Sequence, residues 1–365
     1  MSTNPQTPEE QQRREARIVE LRRQAETRGR VQGLGVRPSG APFPMASPET
    51  GYYGVHLLKE PQWTWQVPLY FFVGGAAGSC GVLGALADWV GDDHELARDA
   101  RWLALGGGML SGALLTWDLG KPQRFLNMLR VFKPQSPMSM GAWILTAFSG
   151  AAAAASFADV VADRFGASLP VRIIGNLGKL GSLAMGGPFH NYTGVLIGAT
   201  VIPAWNKNIT SLPIHFGMSG VQSAVALLEL MGHDRSRALN LLGLGSALLE
   251  TWEGAHLEGR SDRELDPLKH GPTGWLTRLG GTLSGPVPLF LRAAALIATG
   301  DTSRRMRRMA SISGIVGSLA TRYGWMYAGH ASAKDWRIPL EIPDHQARDP
   351  QPMPAKNVPR KFRAD

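Results

Sequence analysis

Polar and apolar positions alternate along this chain in long blocks. Trp65–Ala87 carries no charge, and neither do Trp102–Trp117 and Met140–Ala158. Leu180–Trp205 adds only a histidine, and Leu212–Leu228 follows the same pattern. Ala238–Leu249 runs on into acids, while Thr282–Thr299 and Ala310–His330 hold one Arg each. A helix crossing the hydrocarbon core of a bilayer needs about 20 predominantly apolar residues. The blocks therefore predict an all-α, polytopic membrane protein with about eight transmembrane helices. A soluble bundle of buried helices is the alternative, and successive uncharged stretches of this length argue against it.

Near-neutral overall hydropathy looks wrong for such a protein. The polar, Pro-rich tails explain it, together with spans whose Gly and Ala content suits close helix packing in lipid. The pattern gives a polar N-terminal extension over 1–62, a transmembrane helical domain over 63–330 and a polar tail over 331–365. Trp63, Trp65, Tyr70, Trp89, Trp102, Trp117, Trp143 and Trp205 fall near block ends, where an interfacial aromatic belt is expected. An even number of spans puts both tails on one face, side A. Lys and Arg are shared about equally between the faces, so charge does not orient the chain.

The net charge of +9 belongs to loops and tails. No basic stripe interleaved with aromatics is present, so nucleic acid is excluded as a partner. The single cysteine, Cys80, allows neither a disulfide framework nor an all-cysteine iron–sulfur cluster, and reads as a packing residue. The first 30 residues lack the apolar core of a signal peptide.

Ionisable groups within spans cost a few kcal/mol each, which makes them functional candidates unless paired. Asp118 closes the second block, where "LTWDLGKPQRFLNMLRVFKPQSPMS" turns amphipathic. A short interfacial helix over Gln123–Lys133 would roof a pocket, with Asp118 and Arg124 facing its contents. Equally, Asp118 pairs with Lys121 or Arg124 and pins the loop. Glu250, Glu253 and His256 recur at three-residue spacing on one helix face, and His215 opens the fifth block. Aromatics, histidines and acids at membrane depth suit a quinone, menaquinone or ubiquinone, whose headgroup needs hydrogen-bond donors and a proton source. Asp118, Glu250, Glu253 and His256 are candidate proton-transfer residues. Tyr70, Arg124, Tyr192, Trp205 and His215 are candidate quinone contacts. His190, His215, His256 and His330 raise haem, but His190 lies at a different depth from the rest, and neither haem nor a metal site is expected.

"YYG…LKEPQWTWQVPLYFFVGGAAGS" (52–79), the Leu115–Trp143 stretch, "YTGVLIGATVIPAW" (192–205) and "TRYGWMYAG" (321–329) resemble the NrfD/PsrC family of polysulfide-reductase-type membrane subunits. The resemblance implies a haem-free subunit built as two packed four-helix bundles in the bacterial inner membrane. It implies a ferredoxin-like iron–sulfur partner, itself often joined to a molybdopterin or cytochrome c subunit, and exchange of electrons and protons with membrane quinone. Asp118, Arg124, Tyr192 and Trp205 are the positions it carries over, and Arg322 matches a last-span Arg expected in an internal ion pair. Two alternatives stand beside it. A proton-coupled secondary transporter would show broken helices at mid-depth, for which Gly186-Gly187-Pro188 is the candidate. A purely structural anchor would have no quinone chemistry.

Overall fold

The computed structural model describes residues 58–119, 123 and 125–335, and these contain helices and no strands. The helices are α1 (Gln66–Trp89), α2 (His94–Asp118), α3 (Phe125–Arg130), α4 (Pro137–Phe165), α5 (Leu169–Gly198) and α6 (Pro203–Asn206). After them come α7 (Ser211–Leu228), α8 (Arg237–Gly259), α9 (Asp266–Lys269), α10 (Gly271–Ser284), α11 (Pro286–Ile297) and α12 (Gly300–Lys334). Gln66–Trp89, Pro137–Phe165, Ser211–His233 and Gly271–Ile297 are long and apolar enough to cross a membrane. The chain is a multi-pass membrane protein.

Polar side chains set the starts of several helices. Asp93, Ser136 and Ser236 each accept a backbone N–H three residues on, which satisfies a donor that a helix start leaves free. Helix α1 lies at the centre and packs on α2, α5, α7 and α12. Glycine makes these contacts close. A β-carbon at Gly78 would lie 2.8 Å from the Gly186 carbonyl of α5, and one at Gly220 of α7 would lie 2.8 Å from the Gly75 carbonyl. Apolar side chains gain little by leaving lipid for a protein interior, so such close backbone packing is what drives association.

The block boundaries need correcting in several places. Helices α2, α8 and α12 start or end in charged turns that hydropathy had excluded, because helix ends at the interface tolerate charge. The fourth block is not one helix: α5 ends at Gly198 and Trp205 lies on the separate α6. Pro188 does not break α5, which continues through it. The interruption falls in the seventh block, at Gly285 between α10 and α11 (φ −101°, ψ −93°). The interfacial helix is shorter than expected, at Phe125–Arg130, although Leu126 and Phe132 are exposed as that role requires. Trp65, Trp89 and Trp117 are exposed near helix ends and Trp102 is exposed two turns into α2, whereas Tyr70 and Trp205 are core residues.

Several charges within the helices are paired. Asp88 of α1 meets Lys179 of α5 at 2.5 Å, and Arg101 of α2 meets Asp159 of α4 at 2.6 Å. Glu229, in a π-helical turn that prolongs α7, forms two 2.8 Å hydrogen bonds with Arg292 of α11, and both side chains are almost fully buried. Gly243 of α8 makes room for that guanidinium, which a β-carbon would overlap. Before α1, Glu60 accepts from Lys334 at 3.0 Å and contacts His330 at 3.2 Å, both near the end of α12.

Two outcomes are expected. Arg292→Leu leaves Glu229 buried and unpaired at a cost of about 3–5 kcal/mol, and Glu229→Leu in the same chain recovers most of it. Thermal unfolding in detergent measures both. For Glu60, burial pushes the carboxyl up from its ordinary 4.5, and the hydrogen bonds with Lys334 and His330 outweigh this and hold it lower. Its stabilisation is therefore complete above the ordinary value and is lost as pH falls through the depressed one. The Tm gap between wild type and Glu60→Gln should hold above the ordinary carboxyl value of 4.5 and close as pH drops below it.

Candidate functional site

Two separate cavities hold most of the candidate residues. The first lies where α1, α2, α4 and α5 meet beneath α3. It measures about 70 Å³ and is lined by Tyr70, Leu115, Asp118, Phe125, Met138 and Tyr192, among others. Asp118 also borders an open recess of about 740 Å³ with Gln62, Thr64, Gln66, Thr116 and Trp117. Thr64 donates to Asp118 at 3.1 Å. Asp118 thus stands half-buried between a small apolar pocket and a larger, more open recess. The Tyr192 hydroxyl donates to the Pro137 carbonyl at the start of α4, and Gly141 one turn on is there because a β-carbon would overlap the phenol ring. Arg124 and Lys121 fall outside the described residues, so the expected Asp118 pairing with either is not part of this description.

The second cavity, about 410 Å³, lies between α7, α8, α10 and α12 and contains His215, Glu250, Glu253 and His256. The helical spacing does place the last three together, and α7 adds His215. They do not meet Asp118, so the single pocket expected from the sequence is two. Glu250 is 2% exposed and accepts from Ser284 Oγ at 2.8 Å through Oε2, while Oε1 has no partner among the described residues. Nε2 of His215 is likewise buried without a partner. His256 stacks on Trp252, with ring centroids 5.6 Å apart.

Trp205 belongs to neither cavity. Its ring stacks on Trp63 (5.6 Å, 20°), which lines the first cavity, and its Nε1 donates to the carbonyl of Trp325, which lines the second, at 2.7 Å. Gly329 lies against that ring so closely that a β-carbon would overlap it. Arg322 makes no ion pair within 4 Å among the described residues, against expectation. It donates to Ser219 Oγ and the Phe216 carbonyl, both at 2.9 Å, and its guanidinium sits 4.3 Å over the Phe216 ring. The acid whose charge acts on it, Glu250, is held instead toward Ser284.

Residues 58–238, about half of the chain, match the family described as polysulphide reductase, NrfD. Through these residues the chain belongs to the polysulphide reductase NrfD family. No curated protein matches the sequence. The first cavity lies wholly within the NrfD match. The second takes His215 from it and Glu250, Glu253, His256 and Trp325 from beyond it.

Sequence reasoning missed several residues that shape these sites. Gln222 of α7 donates to the Ser284 carbonyl at 2.6 Å, and Trp63 and Trp325 flank Trp205. Arg292 had the same signal as Arg322, a lone base in an apolar block, but its partner Glu229 is 63 residues away in the chain. No cluster of three His, Cys, Asp or Glu side chains arranged for a metal ion occurs among the described residues.

Gly329→Ala should push the Trp205 ring off Trp63 at a cost of about 1–3 kcal/mol. A Tm decrease, with a smaller decrease when Trp205→Phe is added, is the expected reading.

Proposed function

We propose that the chain is the quinone-interacting membrane anchor subunit of a multi-subunit respiratory oxidoreductase in the bacterial inner membrane. The observation that carries this reading is the position of Asp118, a carboxylate between an apolar pocket holding Tyr70 and Tyr192 and an open recess, within the NrfD match. A headgroup there would find a proton acceptor in Asp118, apolar walls for its ring, and hydroxyl groups to orient it. Quinol oxidation releases protons and electrons in equal number. Asp118 takes a proton and passes it to the recess, and the electrons go to an iron–sulfur subunit docked on side A. Quinone reduction runs the same steps in reverse. A molybdopterin or cytochrome c subunit completes the complex.

The helix packing supports eight spans arranged as two four-helix bundles. Helices α1, α2, α4 and α5 form one group of neighbours; α7, α8, α12 and the broken pair α10–α11 form the other. Proton coupling would run through the second group. There Glu250, Ser284 and Gln222 are linked at 2.8 and 2.6 Å, and Ser219, Ser318 and Ser223 at 2.5 and 3.0 Å. Glu229 lies nearer side B. Asp88, His190 and Tyr192 lie on helices of the other group.

Asp118→Asn should lower quinol turnover by about 10²-fold or more, the range for loss of a general base. The variant complex should still retain its partner subunits on purification. Loss of assembly with turnover per assembled complex unchanged would favour the structural anchor.

A further inference from the structure

We propose that the cavity between α7, α8, α10 and α12 is a second membrane-accessible binding site, which takes the neutral headgroup of a quinol or quinone. It goes beyond the Asp118 site and shares no lining residue with it.

The cavity adjoins an exposed apolar groove. On the outer side of the same four titratable residues lies a groove of about 240 Å³ between α7 and α8, bordered by Ile214, Met218, Leu249 and Trp252. Ile214, Leu249 and Trp252 are exposed, as a lipid-facing groove requires. His215, Glu250, Glu253 and His256 border both spaces, so a headgroup inside and an apolar tail outside would meet at them. The inner volume of about 410 Å³ falls within the range of small-molecule pockets, roughly 300–1,000 Å³.

The polar groups define the headgroup. Glu250 Oε1 and His215 Nε2 are buried and unpartnered, and such groups are costly unless something hydrogen-bonds to them. Glu250 lines the inner space with its other oxygen already bound to Ser284. The rim cations are already answered, Arg278 by Glu258 at 2.7 Å and Arg260 by Asp262 at 2.6 Å, so no spare positive charge waits for an anion. Arg322 in turn is held by Ser219 Oγ and the Phe216 carbonyl. A neutral group that both donates and accepts fits this balance, and the two carboxyls and two imidazoles fit one that exchanges protons. The helix break at Gly285 agrees with this. Irregular backbone at membrane depth is tolerated where it lines a cavity, and Pro286, which follows the break, lines this one.

The test is photolabelling of the complex as purified from membranes with a short-tailed azido-benzoquinone, mapped by peptide mass spectrometry. Gly254 and Gly281 line the cavity, and a β-carbon at either meets nothing within 4 Å. Gly254→Leu and Gly281→Leu should therefore fill it while the fold is kept, which Tm checks; having two plugs covers the loss of either variant. The expected result is adducts within residues 211–218 or 249–257, reduced at least tenfold by each plug, with adducts beside Asp118 unchanged. Adducts confined to the Asp118 region would overturn this site and leave the first standing; adducts confined to α7 and α8 would do the reverse. Adducts on α7 and α8 that persist in both plugged variants would mark labelling from bulk lipid and also overturn the proposal. Protection by excess unlabelled quinol is expected; equal protection by a neutral glycerolipid would overturn the quinol assignment.

Discussion

The structure depends on the closeness with which α1 approaches its neighbours. Gly78 faces the Gly186 carbonyl of α5, and Gly220 of α7 faces the Gly75 carbonyl, at distances that no side chain would allow. In lipid, apolar surface gains little by being buried against other apolar surface, so contact distance and polar pairing have to supply the association energy. Once α1 is fixed between α5 and α7, its start brings Tyr70 beside Tyr192. Tyr192 and Gly141 then seat α4 against the same pocket. The Asp118 site follows from helix packing that begins with two glycine–glycine contacts.

The second group of helices is held by polar contacts. Arg292 reaches Glu229 across the interior, Arg322 reaches Ser219 and the Phe216 carbonyl, and Gln222 and Glu250 both reach Ser284. Each contact satisfies a group that would otherwise be left bare in a medium with no water. The same region contains the groups left unsatisfied, Glu250 Oε1 and His215 Nε2. Both residues line an open volume, and the contrast with the paired charges around them is what makes that volume chemically distinctive. Trp205 and its two Trp neighbours join the two regions, so the cavities share a rigid wall although they share no lining residue.

Periodicity and charge alone predicted an all-helical membrane protein, because a 20-residue gap between charges has few other physical explanations. The motif around Leu115–Trp143 carried the family resemblance, and the spacing of Glu250, Glu253 and His256 did put them on one cavity. Helix ends were less legible: an interfacial turn tolerates the charges of His94–Arg101 or Glu250–Glu258, which a hydropathy reading treats as boundaries. The break for which Gly186-Gly187-Pro188 was the candidate is absent, and one occurs at Gly285 instead. Proline loses one hydrogen bond and the helix continued through it, while the glycine took a conformation that ended α10.

Tertiary structure alone decided which polar residues meet. Sequence could place Asp118 and Glu250 near the same membrane face, but only the tertiary packing put them in different cavities. Arg292 and Arg322 were alike in sequence, each a lone base in an apolar block. One found a carboxylate 63 residues earlier, and the other found a carbonyl, a hydroxyl and an aromatic ring. Buried charges take whichever partner the crossing helices bring within about 3 Å, the reach of a hydrogen bond, and the crossing depends on glycine contacts between distant segments.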